Sequence, residues 1–401
     1  MPAGANISAR RRLGNALLAG YPLVLSRPAF RALFLVLLLG GTANGMGIAY
    51  VSVWASEALA IGPQAVAALF VVSGAAGALG NPLIGLLSDR FGWRRGVIIS
   101  QLTVTSLALA GRTLVTDYAI AMALVAFSGF GITGLVLAAV NDLARALPES
   151  EKRNGLRILA VERAAWSMGI IVGPAIAAAI VGATGDTRPV FAAAALVQVA
   201  AIAMVWPART QSGPRAKGSG QEVGDEPAPI RRVPLAVAFA ALVLIMLPAQ
   251  TRNVYLPLFV TALLGEPAAK VGPLFTLVAI LAVATMPYVG AAADRFGAHR
   301  VLYAGALVGG GYCALQSIST GYLQTLAFQP LLGIGIALWN TSTLIYLQQT
   351  MPGRAGSAGG LYVSVQQVTP IIAGLVLGPI AETTGVPAAF GTTAALCLVA
   401  L

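Results

Sequence analysis

Long apolar runs separated by short polar loops fill almost the whole chain. They lie near residues 32–55, 64–87, 96–115, 118–141, 157–182 and 188–207, and again near 234–262, 271–292, 299–318, 321–347 and 357–381. Each is close to the roughly 20 residues that a helix needs to cross a bilayer core. A last run starts near 387 and reaches Leu401. Fifteen residues rise only about 22 Å against a core of about 30 Å, so the twelfth span is expected to be incomplete in this sequence. The pattern predicts an all-α membrane protein with six spans in residues 29–207 and six in 234–401.

Two polar segments flank these sets. Residues 208–233 are rich in Gly, Pro, Ser and charge; they cannot bury apolar area and are read as a flexible cytoplasmic linker. The N-terminal SARRR followed by LGNALLAGYPLVL looks like a signal peptide's basic and apolar regions. Arg27 and Arg31 then interrupt it with no clear cleavage site, so residues 1–28 are read as an uncleaved cytoplasmic arm.

Composition narrows the class. The chain is 57% hydrophobic and 10% charged, against about 25% charged for a soluble domain, so lipid is its solvent. The net charge of +11 does not indicate nucleic acid, because the basic residues cluster between apolar runs. Twenty of the 25 fall in the arm, the linker and alternate loops, on one side of the predicted topology. Arg188 and Lys270 sit on the other, among Glu57, Asp117, Asp186, Glu266 and Glu382. This asymmetry places both termini in the cytoplasm, and the excess of Arg over Lys with abundant Ala suggests a bacterial genome, hence an inner membrane. Cys313 and Cys397 lie in apolar runs and read as small buried hydrophobes. With one histidine, His299, and no CxxC pair, no metal site or cofactor is expected.

The two sets of spans are copies. GLLSDRFGWRR at 85–95 returns as GAAADRFGAHR at 290–300, with Asp89 and Asp294 205 positions apart. GFGITGLVLAAVNDLARALP at 129–148 aligns with GIGIALWNTSTLIYLQQTMP at 333–352. At the same offset Tyr50 pairs with Tyr255 and Trp54 with Phe259, and GIIVGP at 169–174 mirrors GLVLGP at 374–379. Two six-helix halves related by an axis along the membrane normal are a transporter architecture, with the substrate site at mid-membrane between them.

GLLSDRFGWRR resembles the signature loop between helices 2 and 3 of the major facilitator superfamily, and GAAADRFGAHR its weaker copy between helices 8 and 9. NDLARALPESEKRN, RAAWSMGIIVGP and MPGRAGSAGGLY resemble stretches of the bacterial sugar efflux transporter family. The resemblance implies that Asp89 and Arg94 latch the halves when the cytoplasmic side is closed. Gly85 and Gly290, lacking side chains, would let helices approach closely there. Arg90 and Arg95 hold the first turn at the headgroups, and Asp294 and Arg295 repeat the motif in the second. The alternative reading is a charged turn that only fixes topology.

Charges and hydrogen-bonding groups inside the spans mark the candidate site. An ionisable group at membrane depth costs about 2.5–3.5 kcal/mol on insertion scales. Glu162 and Arg163 are neighbours about 100° apart on one helix, and Arg252 lies in the seventh span. Glu162 is the candidate proton-coupling carboxyl, with Asp142 the second. Arg112, at the end of the third span, is read as an interfacial charge. Candidate substrate residues are Asn44, Tyr50, Trp54, Arg163, Trp166, Arg252, Asn253, Tyr255, Trp339, Asn340, Gln366 and Gln367, which supply hydrogen bonds and flat apolar faces. GIIVGP puts Gly169 and Gly173 on one face for tight packing, and resembles the helix-5 motif of proton-coupled drug exporters. The reading is a monomeric proton-coupled exporter of a sugar or sugar analogue, with a drug/proton antiporter as the alternative. A sensor lacks the soluble domain it would need, and no nucleophile–base set suggests an enzyme.

Overall fold

The computed structural model describes residues 20–91, 94–129, 152–205, 235–351 and 355–401, with Val136, Ala139, Val140, Leu143 and Leu147. Asp142, the linker 208–233 and residues 1–19 lie outside the described residues. A short α1 (Gly20–Leu25) precedes α2 (Pro28–Ala58), α3 (Pro63–Phe91), α4 (Arg94–Gly111), α5 (Tyr118–Ser128), α6 (Lys152–Thr184) and α7 (Arg188–Val205). The second set is α8 (Leu235–Leu258) with a π-helical turn at Phe259–Leu263, α9 (Val271–Phe296), α10 (Ala298–Ser317), α11 (Tyr322–Thr350), α12 (Ala355–Thr384) and α13 (Val386–Val399). In chain order α2 to α13 fall on the twelve segments expected to span. Among the described residues eight helices are long and apolar enough to cross a bilayer, while Arg95–Gly111, Tyr118–Ser128 and Val386–Val399 are apolar but shorter.

Local chemistry sets the helix ends. Pro28 opens α2, where its missing N–H costs nothing. Asp117 caps α5 by accepting the Ile120 amide at 3.0 Å. Gly297 joins α9 to α10 with φ +88°, a backbone region that a side chain would strain, and it is the glycine of the second DRFG copy.

Packing follows the repeat. In the first half α2 lies against α6 and α7, α4 against α7, and α3 against α5. In the second, α10 and α9 both pack on α11, and α10 on α13. The halves share one aromatic device at equivalent places. Trp54 of α2 packs on Phe191 of α7 with centroids 5.4 Å apart, and Phe259 packs on Phe390 of α13 at 6.1 Å. All four rings are fully buried.

The halves meet through α3 with α12, α6 with α9 and α2 with α8. These contacts gather at the end opposite the two DRFG copies, called here the far end. There Glu382 of α12 accepts the Gln64 amide in the first turn of α3 at 3.0 Å. The Gly272 amide of α9 donates to the Tyr50 hydroxyl at 3.3 Å, and Ser52 donates to the Asn253 carbonyl at 3.4 Å. Toward the motif end, Gly290, Gly359 and Gly360 have no described atom within 4 Å of where a Cβ would sit. Among the described residues the hydrogen bonds between the halves lie at the far end.

Candidate substrate site

A cavity of ≈ 320 Å³ lies between the halves, at the lower end of the about 300–1,000 Å³ usual for small-molecule sites. From the first half α2 presents Asn44, an exposed side chain in an otherwise buried stretch of helix. Phe70 and Ser73 of α3 and Trp166 of α6 add two aromatic faces and a hydroxyl. The second half contributes Gln250 of α8 and Gln366 and Gln367 of α12. Gln367 lies close over α3: a Cβ on Gly77 would stand 2.6 Å from its amide oxygen.

Side chains behind the wall extend this set. Gln366 donates to the Tyr362 hydroxyl at 2.9 Å, which donates to Asn340 at 3.5 Å. Arg163, of the opposite half, is exposed. On α8 the Arg252 guanidinium lies 3.7 Å over the Phe275 ring and donates to Asn253 at 2.9 Å. Asn253 in turn donates to Gln250 at 3.3 Å, linking the arginine to the cavity wall. Tyr362 was not anticipated from the sequence; its place between two candidate amides is the signal.

Other candidates are drawn into packing instead. Tyr50, Trp54 and Tyr255 are fully buried and Trp339 is 1% exposed. The Trp54 indole donates to the Arg112 carbonyl at 3.0 Å, and Trp339 fills the space left by Gly309 and Gly335. Glu162 is fully buried beside Val161 and Ala165, and among the described residues neither carboxylate oxygen has a hydrogen-bond partner. Such a group is expensive at membrane depth unless it is protonated or has a purpose.

Arg112 departs from its expected interfacial place. It is 4% exposed and forms part of the cavity wall, under the Trp54 indole and 5.5 Å from the Phe191 centroid. The indole bond pins the end of α4 to α2, so the side chain turns inward, where Nη2 donates to Ser128 at 2.6 Å.

A family model, Major Facilitator Superfamily, matches residues 32–374. The chain belongs to this superfamily. Among its relatives are a Deinococcus radiodurans protein named for sugar efflux, 27% identical over 93% of this chain and 96% of the relative. Sugar efflux transporter A of Dickeya chrysanthemi is 25% identical over 90% of each chain. Sugar efflux transporter B of Salmonella typhimurium is 26% identical, again over 90% of each. Of solved structures, the nucleoside transporter NupG superposes with TM-score 0.74 at 12% identity, covering 92% of this chain and 96% of its own. The POT family transporter PepTSo gives 0.71 at 13%, covering 92% and 95%. These superpositions establish the fold alone. The chain is a transporter of the superfamily and not an enzyme.

Within that frame the signature loops sit away from the far end. Gly85, Asp89 and Arg90 fall in the last turns of α3 and Arg94 begins α4; their side chains lie outside the described residues. In the second copy Asp294 and Arg295 are exposed, with Arg295 5.1 Å over the Phe296 ring. Among the described residues no atom lies within 4 Å of where a Cβ on Gly290 would sit.

Proposed function

We propose that the chain exports a sugar or sugar analogue across the bacterial inner membrane as a monomer, by alternating access coupled to proton entry. The observation that carries this reading is the wall of neutral amides, Asn44, Gln250, Gln366 and Gln367, beside the flat faces of Trp166 and Phe70. Amides donate and accept at once, as a ring of hydroxyls requires, and aromatic faces suit the apolar side of a pyranose. The sugar efflux relatives point the same way.

On this reading the basic motif end and both termini face the cytoplasm, and the geometry is the inward-open state. Asp89, Arg94 and their counterparts Asp294 and Arg295 engage when that side closes. Glu162 carries the proton: its carboxyl sits without a partner among the described residues, next in the chain to the exposed Arg163. A carboxyl without a partner gains a proton more readily than one held in an ion pair.

Inverted membrane vesicles test the proposal. Uptake of radiolabelled lactose or glucose should rise with an imposed proton gradient, and Glu162→Gln should abolish the gradient dependence. Uptake indifferent to both gradient and variant removes the coupling. Transport of a fluorescent cationic drug with no sugar uptake replaces the sugar reading with drug export.

A further inference from the structure

The inner end of the cavity carries a charge that none of its other described wall residues answers. Among the described residues Arg112 is the one ionisable group lining it, and no described carboxylate pairs with that arginine. One amino group of its guanidinium is held by Ser128, whose own proton goes to the Leu124 carbonyl at 3.0 Å. The Phe191 ring fixes the guanidinium plane from one side. The Nε–H is buried and has no hydrogen-bond partner among the described residues. On the same wall the Gln198 side chain, 4% exposed, keeps its carbonyl oxygen without a donor.

A planar fork with a spare edge in a dry site is suited to a carboxylate, which it binds through two parallel hydrogen bonds. A lone acceptor beside it is suited to a hydroxyl. Both groups occur on one small molecule in sugar acids. We propose that the Arg112 end of the cavity is a carboxylate subsite, and that the preferred substrate is a sugar acid such as a hexuronate, not a neutral sugar. This rests on the sugar-export reading and sharpens it. The neutral amides at the other end bind the ring hydroxyls, while Arg112 takes the carboxylate and Gln198 accepts a hydroxyl proton. A bound anion would also neutralise the one charge among the described wall residues, coupling tight binding to the sign of the substrate.

Glucuronate and glucuronamide have the same shape and differ in charge, so they separate the carboxylate from the ring. Binding of each, and of glucose, is measured by calorimetry on the purified full chain in detergent. The expected result is glucuronate at least tenfold tighter than glucuronamide, with Arg112→Gln bringing the ratio of the two affinities close to one. Ser128→Ala, which leaves the charge in place, should lower the ratio severalfold. If the arginine variant does not fold, the ratio for the unaltered chain still decides. Glucose binding with equal affinities for acid and amide overturns the carboxylate subsite and leaves sugar export standing. An unchanged ratio in a folded Arg112→Gln protein also overturns it. Failure of all three ligands to bind overturns both.

Discussion

GIIVGP in α6 and GLVLGP in α12 are the same phrase written 205 residues apart, yet they are used for opposite purposes. In α6 the glycines press into α2 of their own half. A Cβ on Gly169 would strike the backbone of Leu38 and Thr42, and one on Gly173 the backbone of Thr42 and Met46. The partner replies in kind: Gly41 and Gly45 of α2 have no room for a Cβ beside Trp166, Ile170 and Pro174. In α12 the glycines face α3 of the other half. Gly374 is tight against the Val71 side chain and the Ala67 carbonyl, but Gly378 has its nearest neighbours, Ala67 and Gln64, at 3.4 Å and beyond. Close approach at both glycines makes the first a fixed joint, and close approach at only one of two makes the second a surface that separates more easily. Alternating access needs one of each.

That difference can be broken at its strong end first. Gly169→Ala forces a methyl into backbone atoms that cannot swing away, at a cost of about 1–3 kcal/mol, and should lower the midpoint of thermal unfolding clearly in a purified sample. A midpoint equal to that of the unaltered protein would mean that the joint is not rigid. Glu382→Ala attacks the parting surface without touching a helix crossing. Loss of a helix cap costs about 1 kcal/mol, which is roughly fivefold in an equilibrium. The far end should therefore open more often, read as a longer distance between spin labels at positions 64 and 383. An unchanged distance distribution would show that the cap does not hold the halves. Gly378→Ala should be the mildest, within about 0.5 kcal/mol of neutral, because its Cβ meets ordinary van der Waals contact. A drop as large as that of Gly169→Ala would erase the contrast.

Much of the architecture is legible in the chain because lipid leaves few choices. A spanning segment must be a helix of about 20 apolar residues, and the duplication reports the six-plus-six arrangement. Which face of each helix looks inward is another matter. In a helix that is apolar on all sides no stripe marks the interior, so Trp54 and Trp166 read alike although one is core and the other lines the cavity. Residue type alone picks out Asn44, Trp166, Gln366 and Gln367, which line the cavity, and equally Tyr50, Tyr255 and Trp339, which pack. Gly41 and Gly45 went unnoticed because a packing glycine is recognised only with its partner in view. Arg112 was misplaced by its position at a helix end. The apolar run continues to Val115 beyond it, and that was the available sign that it lies within the membrane.

The cap on α3 also has a consequence for how the protein is made. Gln64 and Glu382 are 318 residues apart in the chain, whereas the α2–α6 joint uses residues 38–46 and 166–174. Chains emerge N-terminus first and their domains fold as units. The joint can set while the second half is still unsynthesised, and Gln64 meets its carboxylate only after nearly the whole chain has been inserted. Until then the amides at the start of α3 must be satisfied by water or headgroups. A ribosome-bound intermediate holding residues 1–207 therefore has its packing but no closed end, and it exposes the wall of a cavity whose other side does not yet exist.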